Sequence, residues 1–151
     1  MLMNKKIIGY DAKRIVRNGT GLGSYGRTLI NDLAPLIPDT NLRLYAPDAG
    51  RDDLRNQVEL RDNVKFCYPD HLRFRLQRDW WRVKGVVKDL KTDGVELYHG
   101  LSGELPSGLA AAGILGVVTV HDLIFLRHPE FYPAIDVFFY KRKFYQTLRE
   151  A

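Results

Sequence analysis

Short β-branched or aromatic runs alternate along this chain with longer amphipathic stretches. Lys6 to Asp11 (apolar at Ile7, Ile8 and Tyr10), Asn41 to Ala46, Val64 to Tyr68, Val95 to Tyr98 and Gly116 to Asp122 read as five strands. The run Gly116-Val117-Val118-Thr119-Val120 has no amphipathic alternation, which suits a strand buried on both faces of a parallel sheet. Gly21 opens a helix through Leu29, Ile30, Leu33 and Leu36-Ile37 that stops at Pro38, and Arg51 to Leu60 is polar and weakly helical. Leu72, Leu76, Trp80, Val83, Val87 and Leu90 step by three and four, the apolar stripe of one long helix for which Gly94 supplies the stop. Ala12 to Thr20 reads as a polar loop, and a last helix rich in aromatics starts at Ile135, after Pro129 and Pro133. Strands alternating with helices predict an α/β fold, a mostly parallel, doubly wound sheet with helices on both faces. A helix that closes a βα unit normally leads back to the sheet. The last one runs to Ala151 with neither a stop signal nor a following strand, so the chain reads as part of a larger protein.

Composition narrows the classes. A length of 151 residues suits one domain with a proper core. With 45% hydrophobic and 27% charged residues, the chain is not of the disordered class. Cys67 stands alone, cannot form an internal disulfide, and suits a reducing compartment. The apolar run behind Met1-Leu2-Met3-Asn4-Lys5-Lys6 is too short for a signal peptide or a membrane span, so a cytoplasmic location is expected.

The net charge of +5 is concentrated. Between Arg73 and Lys91, seven basic residues face only Asp79 and Asp89, an excess equal to that of the whole chain. Nucleic acid, a membrane surface and an anionic substrate are the partners such a surface suits. Nucleic-acid binding would also need a recognition module or a stacking platform, and the sequence offers neither. Phe74 and Trp81 lie off the apolar stripe beside these basic residues, which suits an interfacial helix from Leu72 to Lys91 on anionic lipid. The alternative is a solvated basic face whose aromatics bury against neighbouring loops. In the last helix Phe138, Phe139, Tyr140, Phe144 and Tyr145 are too tightly clustered for every ring to face the core, and an exposed face there would favour self-association.

Two stretches carry candidate chemistry. The fifth strand ends in His121-Asp122, and in open α/β sheets ligands sit beyond the carboxyl ends of the strands. Both residues are therefore candidates; the alternative is that they only hydrogen-bond loop backbone. Gly21-Leu22-Gly23-Ser24-Tyr25-Gly26 matches the dinucleotide fingerprint in letters, but about ten residues separate it from the end of the first strand, where the fingerprint needs an immediate turn. An acidic residue, Asp48, does follow the second strand. Glycines at a helix N-terminus let backbone N–H groups approach an anion, so Gly23, Ser24 and Tyr25 could face a phosphate or a sugar hydroxyl. Equally, the glycines could only shape the loop and pack the helix.

Taken in order, Gly21-Leu22-Gly23-Ser24-Tyr25-Gly26-Arg27, Leu97-Tyr98-His99-Gly100 and Val118-Thr119-Val120-His121-Asp122-Leu123 resemble the N-terminal domain of family 4 glycosyltransferases, nearest to bacterial mannosyltransferase-like members. The resemblance covers nearly the whole chain. It implies a Rossmann-like domain, residues 1–151, forming the acceptor side of a two-domain GT-B enzyme that retains anomeric configuration and requires no metal. The family's C-terminal domain, which binds the nucleotide-sugar donor, is expected outside this chain, and residues 1–151 are not expected to turn over alone. By position, His121 would hydrogen-bond the transferred sugar, the loop at Gly21, Gly23, Ser24 and Tyr25 would approach the donor phosphate, and His99, Gly100, Ser102 and Asp122 would line the acceptor side. The expected partners are a nucleotide sugar as co-substrate and a saccharide or lipid-linked acceptor, with peripheral membrane contact through Leu72 to Lys91. Half of a nicotinamide-dependent oxidoreductase and a non-enzymatic sugar-binding module are the competing readings.

Overall fold

The structure, a computed structural model, describes residues 5–70 and 74–151. Strands β1 (Lys6–Asp11), β2 (Thr40–Tyr45), β3 (Val64–Cys67), β4 (Leu97–Gly100) and β5 (Leu115–Val118) form one all-parallel sheet in the order β3-β2-β1-β4-β5. The helices are α1 (Lys13–Arg17), α2 (Gly21–Leu33), α3 (Asp52–Arg55), α4 (Arg75–Trp80), α5 (Val86–Thr92), α6 (Ile124–Arg127) and α7 (Ala134–Glu150). Alternate residues of a strand point to opposite faces. Accordingly Leu42 and Leu44 of β2 join Ile15, Val16 and Ile30 in one core, while Tyr45 joins Val86, Leu90 and Leu109 in the other. The doubly wound α/β sheet expected from the alternation is observed, and it is Rossmann-like. Its strand order reverses between β1 and β4, the place where such sheets open a crevice at their carboxyl ends.

Several local expectations are corrected. The stretch read as a polar loop contains α1, because Ile15 and Val16 are fully buried and the Asp11 carboxylate accepts the Lys13 N–H (3.1 Å). Strand β4 extends to Gly100, so His99 and Gly100 sit in the sheet rather than in the loop after it. β5 is shorter than expected, and His121 and Asp122 come after it in a loop. Nor is it covered on both faces. It is the edge strand, the α7 C-terminus crosses Gly116 on one side, and Leu115 and Val117 on the other side are exposed.

The long helix is interrupted. A π-turn, Trp81–Gly85, joins α4 to α5, and its extra residue rotates α4 by roughly 100° relative to the register that α5 alone would continue. The regular stripe therefore cannot stay on one face. Leu76 (83% exposed) and Trp80 (63%) point to solvent, whereas Val86 and Leu90 are fully buried. Trp81, expected beside the lipid-facing surface, is buried instead, and its Nε1 donates to Asp89 Oδ2 (2.6 Å). Leu72 and Arg73, the expected start of this helix, lie outside the described residues. Its end is as expected. Gly94 has φ +72°, its N–H bonds the Lys91 carbonyl, and the Val95 N–H bonds the Leu90 carbonyl, the paired closure of a glycine-terminated helix.

Helix α7 closes the far side of the sheet edge. Its Thr147 Oγ1 accepts the Leu105 N–H (3.3 Å), and the Glu150 carboxylate accepts the N–H groups of Gly108 (2.9 Å) and Ala110 (3.3 Å). Phe138, Phe139, Tyr140 and Tyr145 remain exposed, as their crowding predicted. No described helix is long and apolar enough to cross a membrane.

Candidate functional site

A cavity of about 310 Å³ opens at the carboxyl ends of β4 and β5. The loop after β4 lines it with Ser102, Gly103 and Glu104, and the loop after β5 with Val120, His121 and Asp122. Leu22 enters from the first turn of α2, and α7 contributes Tyr140, Lys143 and Phe144. Polar groups thus sit among apolar and aromatic walls, the usual make-up of a site that stacks and hydrogen-bonds a small ligand.

His121 is held from two sides. Its Nε2 lies 2.8 Å from the Leu101 carbonyl oxygen, and because a carbonyl only accepts, Nε2 carries the proton. In the neutral ring Nδ1 is then the acceptor. Tyr25, on the glycine-led helix α2, meets the imidazole edge-on with ring centroids 5.0 Å apart. The Tyr25 hydroxyl lies 3.3 Å from Thr119 Oγ1, which is in turn 2.8 Å from His99 Nε2. Tyr25, His121, Thr119 and His99 are therefore one linked group joining α2 to the ends of β4 and β5. His99 is half-buried and does not line the cavity, and desolvation lowers its pKa from the ordinary 6.5, favouring the neutral ring. Its Nε2 is engaged by Thr119.

The glycines divide by role. Gly21 is exposed, with open space where a Cβ would stand. Gly23 is buried, and a Cβ there would strike the Asn18 and Arg14 carbonyl oxygens. Its N–H is already taken by Asn18 Oδ1 (3.3 Å), which also accepts the Thr20 N–H (2.8 Å). Buried Arg27 locks this arrangement, donating from Nη1 to the Ile15 and Asn18 carbonyls. Gly23 thus seats α2 on the α1 turn, and its N–H is engaged by Asn18. Ser24 is exposed on the first turn of α2, its N–H used within the helix by the Thr20 carbonyl. Gly100 likewise packs: a Cβ would meet the Glu104 carbonyl, so this glycine lets the loop fold back, and it does not line the cavity. Asp122 lines the cavity while its Oδ1 accepts the Ile124 N–H (3.1 Å) at the start of α6.

Sequence reasoning missed the charged residues. Asp11 Oδ2 and Arg82 Nη2 form a buried ion pair (2.9 Å), Arg82 reaches Glu104 (3.4 Å), and Glu104 reaches Lys143 (3.5 Å). Burial alone would lower the Arg82 pKa, but the charges and hydrogen bond of Asp11 and Glu104 outweigh it and hold the guanidinium charged. The residues lie far apart in sequence with no motif joining them. Asp11 ends β1 and Glu104 follows β4, which put both at the carboxyl edge, whereas Arg82 and Lys143 are helical and carried no such signal. Among the described residues no three His, Cys, Asp or Glu side chains converge as a metal site would need.

The fingerprint's cofactor chemistry finds little support in this geometry. Helix α1 separates β1 from Gly21. Asp48 is engaged by Arg17, by Arg78 (2.9 Å) and by the Gly50 N–H (3.0 Å) rather than left free for a ribose. No protein-family model, curated protein or solved structure matches the chain.

The two glycines give a direct test of this division. Gly23→Ala should destabilise the fold by about 2 kcal/mol through backbone overlap. Gly21→Ala should stay within about 0.5 kcal/mol of the parent. Urea denaturation of both variants measures the difference; equal effects would contradict the packing role assigned to Gly23.

Proposed function

We propose that this chain is the acceptor-side domain of a retaining glycosyltransferase that moves a hexosyl unit, mannose by resemblance, from a nucleotide sugar to a saccharide or glycolipid. The observation that carries the reading is His121, with Nε2–H fixed on the Leu101 carbonyl and Nδ1 left to accept from a sugar hydroxyl at the mouth of the cavity. Leu22 brings the first turn of α2 to the same opening and exposed Tyr25 packs on His121 beside it, where a departing diphosphate would meet the positive end of the helix dipole. Charge stabilisation and positioning dominate such a transfer, and neither demands a general base on this side of the cleft. The ordered motif set and the carboxyl-edge location support the reading together. A donor-binding domain would supply the remaining contacts, so residues 1–151 would bind saccharide without transferring sugar.

The exposed apolar face of α4 favours an accompanying role at a lipid surface. Phe74, Leu76, Trp80 and Val83 project outward beside Arg75, Lys84 and Lys88, an arrangement suited to shallow insertion among anionic headgroups.

Calorimetric titration with mannose oligosaccharides should show binding that falls about tenfold in His121→Ala, the effect of losing one good hydrogen bond. Titration with reduced nicotinamide cofactor should leave its fluorescence unchanged. Saturable cofactor binding, or sugar transfer by residues 1–151 alone, would overturn the assignment. For the lipid surface, vesicles containing anionic lipid should co-sediment the chain at low salt and lose it in a Leu76→Ser, Trp80→Ser double variant; equal pelleting of both proteins refutes insertion.

A further inference from the structure

A second large cavity, about 300 Å³, is lined by Lys13, Arg17, Pro47, Asp48, Arg75, Arg78 and Asp79. It opens just past the carboxyl ends of β1 and β2. Between it and the His121 cavity lies a crevice of about 30 Å³ at the ends of β1 and β4, walled by Asp11, Arg82, Tyr98 and Glu104. Strand order thus sets three openings in a row along one edge, and Glu104 lines both the crevice and the His121 cavity.

The charges of the second cavity do not balance. Four cations face two carboxylates. Arg17 and Arg78 share the single carboxylate of Asp48, and Arg75 stands 3.8 Å from Asp79. Lys13 makes no side-chain hydrogen bond or ion pair with any described residue, although it is only partly exposed. Burial, and then the nearby Arg82 charge, lower its pKa from the ordinary 10.5, against the opposing pull of Asp79, Asp11 and Glu104. A cation left partly desolvated beside another cation is a cost that a bound anion would relieve.

We propose that the cavity bounded by Lys13, Arg17, Arg75 and Arg78 is an oxyanion subsite that holds a phosphate group of the acceptor while the acceptor's sugar reaches along the strand edge to His121. Two guanidinium groups turned toward one cavity suit the paired oxygens of a phosphate, and the Lys13 ammonium supplies a point charge beside them. Asp48 presets the arginines: hydrogen bonds from Arg17 and the Gly50 N–H outweigh its burial and keep its carboxyl ionised below the ordinary 3.8. The phosphate could belong to a soluble sugar phosphate or to a lipid headgroup, since exposed Leu76 and Trp80 adjoin Arg75 and Arg78 on α4. This subsite rests on the transferase reading only for its connection to His121; anion binding itself is read at Lys13.

The test is an amide-shift titration at low ionic strength with inorganic phosphate and, separately, glucose 1-phosphate. Both should shift signals around Lys13, Arg17 and Asp48, with Lys13→Gln and Arg78→Gln each weakening binding about tenfold. Lys65→Gln, an exposed change on β3 outside the cavity, should leave binding unchanged, and all three variants should keep the parent amide spectrum elsewhere. Vesicles of phosphatidylcholine with and without phosphatidic acid separate the sources. Lys13-dependent retention on the acidic vesicles assigns the lipid phosphate, and tighter binding of glucose 1-phosphate than of inorganic phosphate assigns the soluble one. Absence of binding by the parent chain, or equal binding by parent and Lys13→Gln, overturns the subsite while leaving the saccharide titration at His121 to judge the transferase reading by itself.

Discussion

The buried pair of Asp11 and Arg82 is the contact on which the carboxyl edge of this sheet depends. Asp11 ends β1, Arg82 belongs to the π-turn, and Arg82 also touches Glu104 of the loop after β4, which touches Lys143 of α7. The end of β1, the π-turn and the loop after β4 are thereby brought together at the switch in strand order, and the exposed Lys143 pair adds a contact to α7, which Thr147 and Glu150 dock. Such a pair is weak evidence of net stability, since desolvating two charges offsets most of their attraction. Its effect is on geometry. Removing Arg82 would leave the buried Asp11 carboxylate without its cation, whereas without Asp11 the guanidinium would keep only Glu104.

The π-turn and the ion pair explain each other. A regular helix from Arg75 to Thr92 would keep Leu76, Trp80 and Val83 in register with Val87 and Leu90, all toward the core. With the extra residue, Trp81 and Val86 take the buried positions, Arg82 reaches Asp11, and the earlier apolar residues turn outward. π-Turns recur at functional sites for this reason: they trade regular packing for one redirected side chain. Here the exposed apolar face of α4 and the charged edge are products of a single local irregularity.

Legibility from the sequence divides along the same line. The five strands and their mostly parallel arrangement were legible because short β-branched runs between helices leave a chain few ways to pack. His121 and Asp122 were legible as edge residues because that edge is where strand termini deliver polar groups. The π-turn was not, since its residues keep a faultless helical spacing and only the burial of Trp81 and Arg82 breaks it. Gly23 and Gly100 looked like ligand-facing glycines, yet each is small because a carbonyl of a neighbouring loop occupies the space. Glu104 and Lys143, 39 residues apart, meet only through the α7 docking made by Thr147 and Glu150. Letter motifs report spacing along the chain, whereas these contacts are set by which loops fold back.

The functional reading stands on His121 presenting Nδ1 to a sugar at the mouth of the β4–β5 cavity. Nitrogen NMR of histidine-labelled protein, recorded at neutral pH with and without a mannose oligosaccharide, observes that atom itself. His121 should carry its proton on Nε2, saccharide should shift its Nδ1 signal, and His99, half-buried against Thr119, should stay where it was. A His121 ring protonated on Nδ1, or one indifferent to saccharide while the loops around it respond, would refute this role.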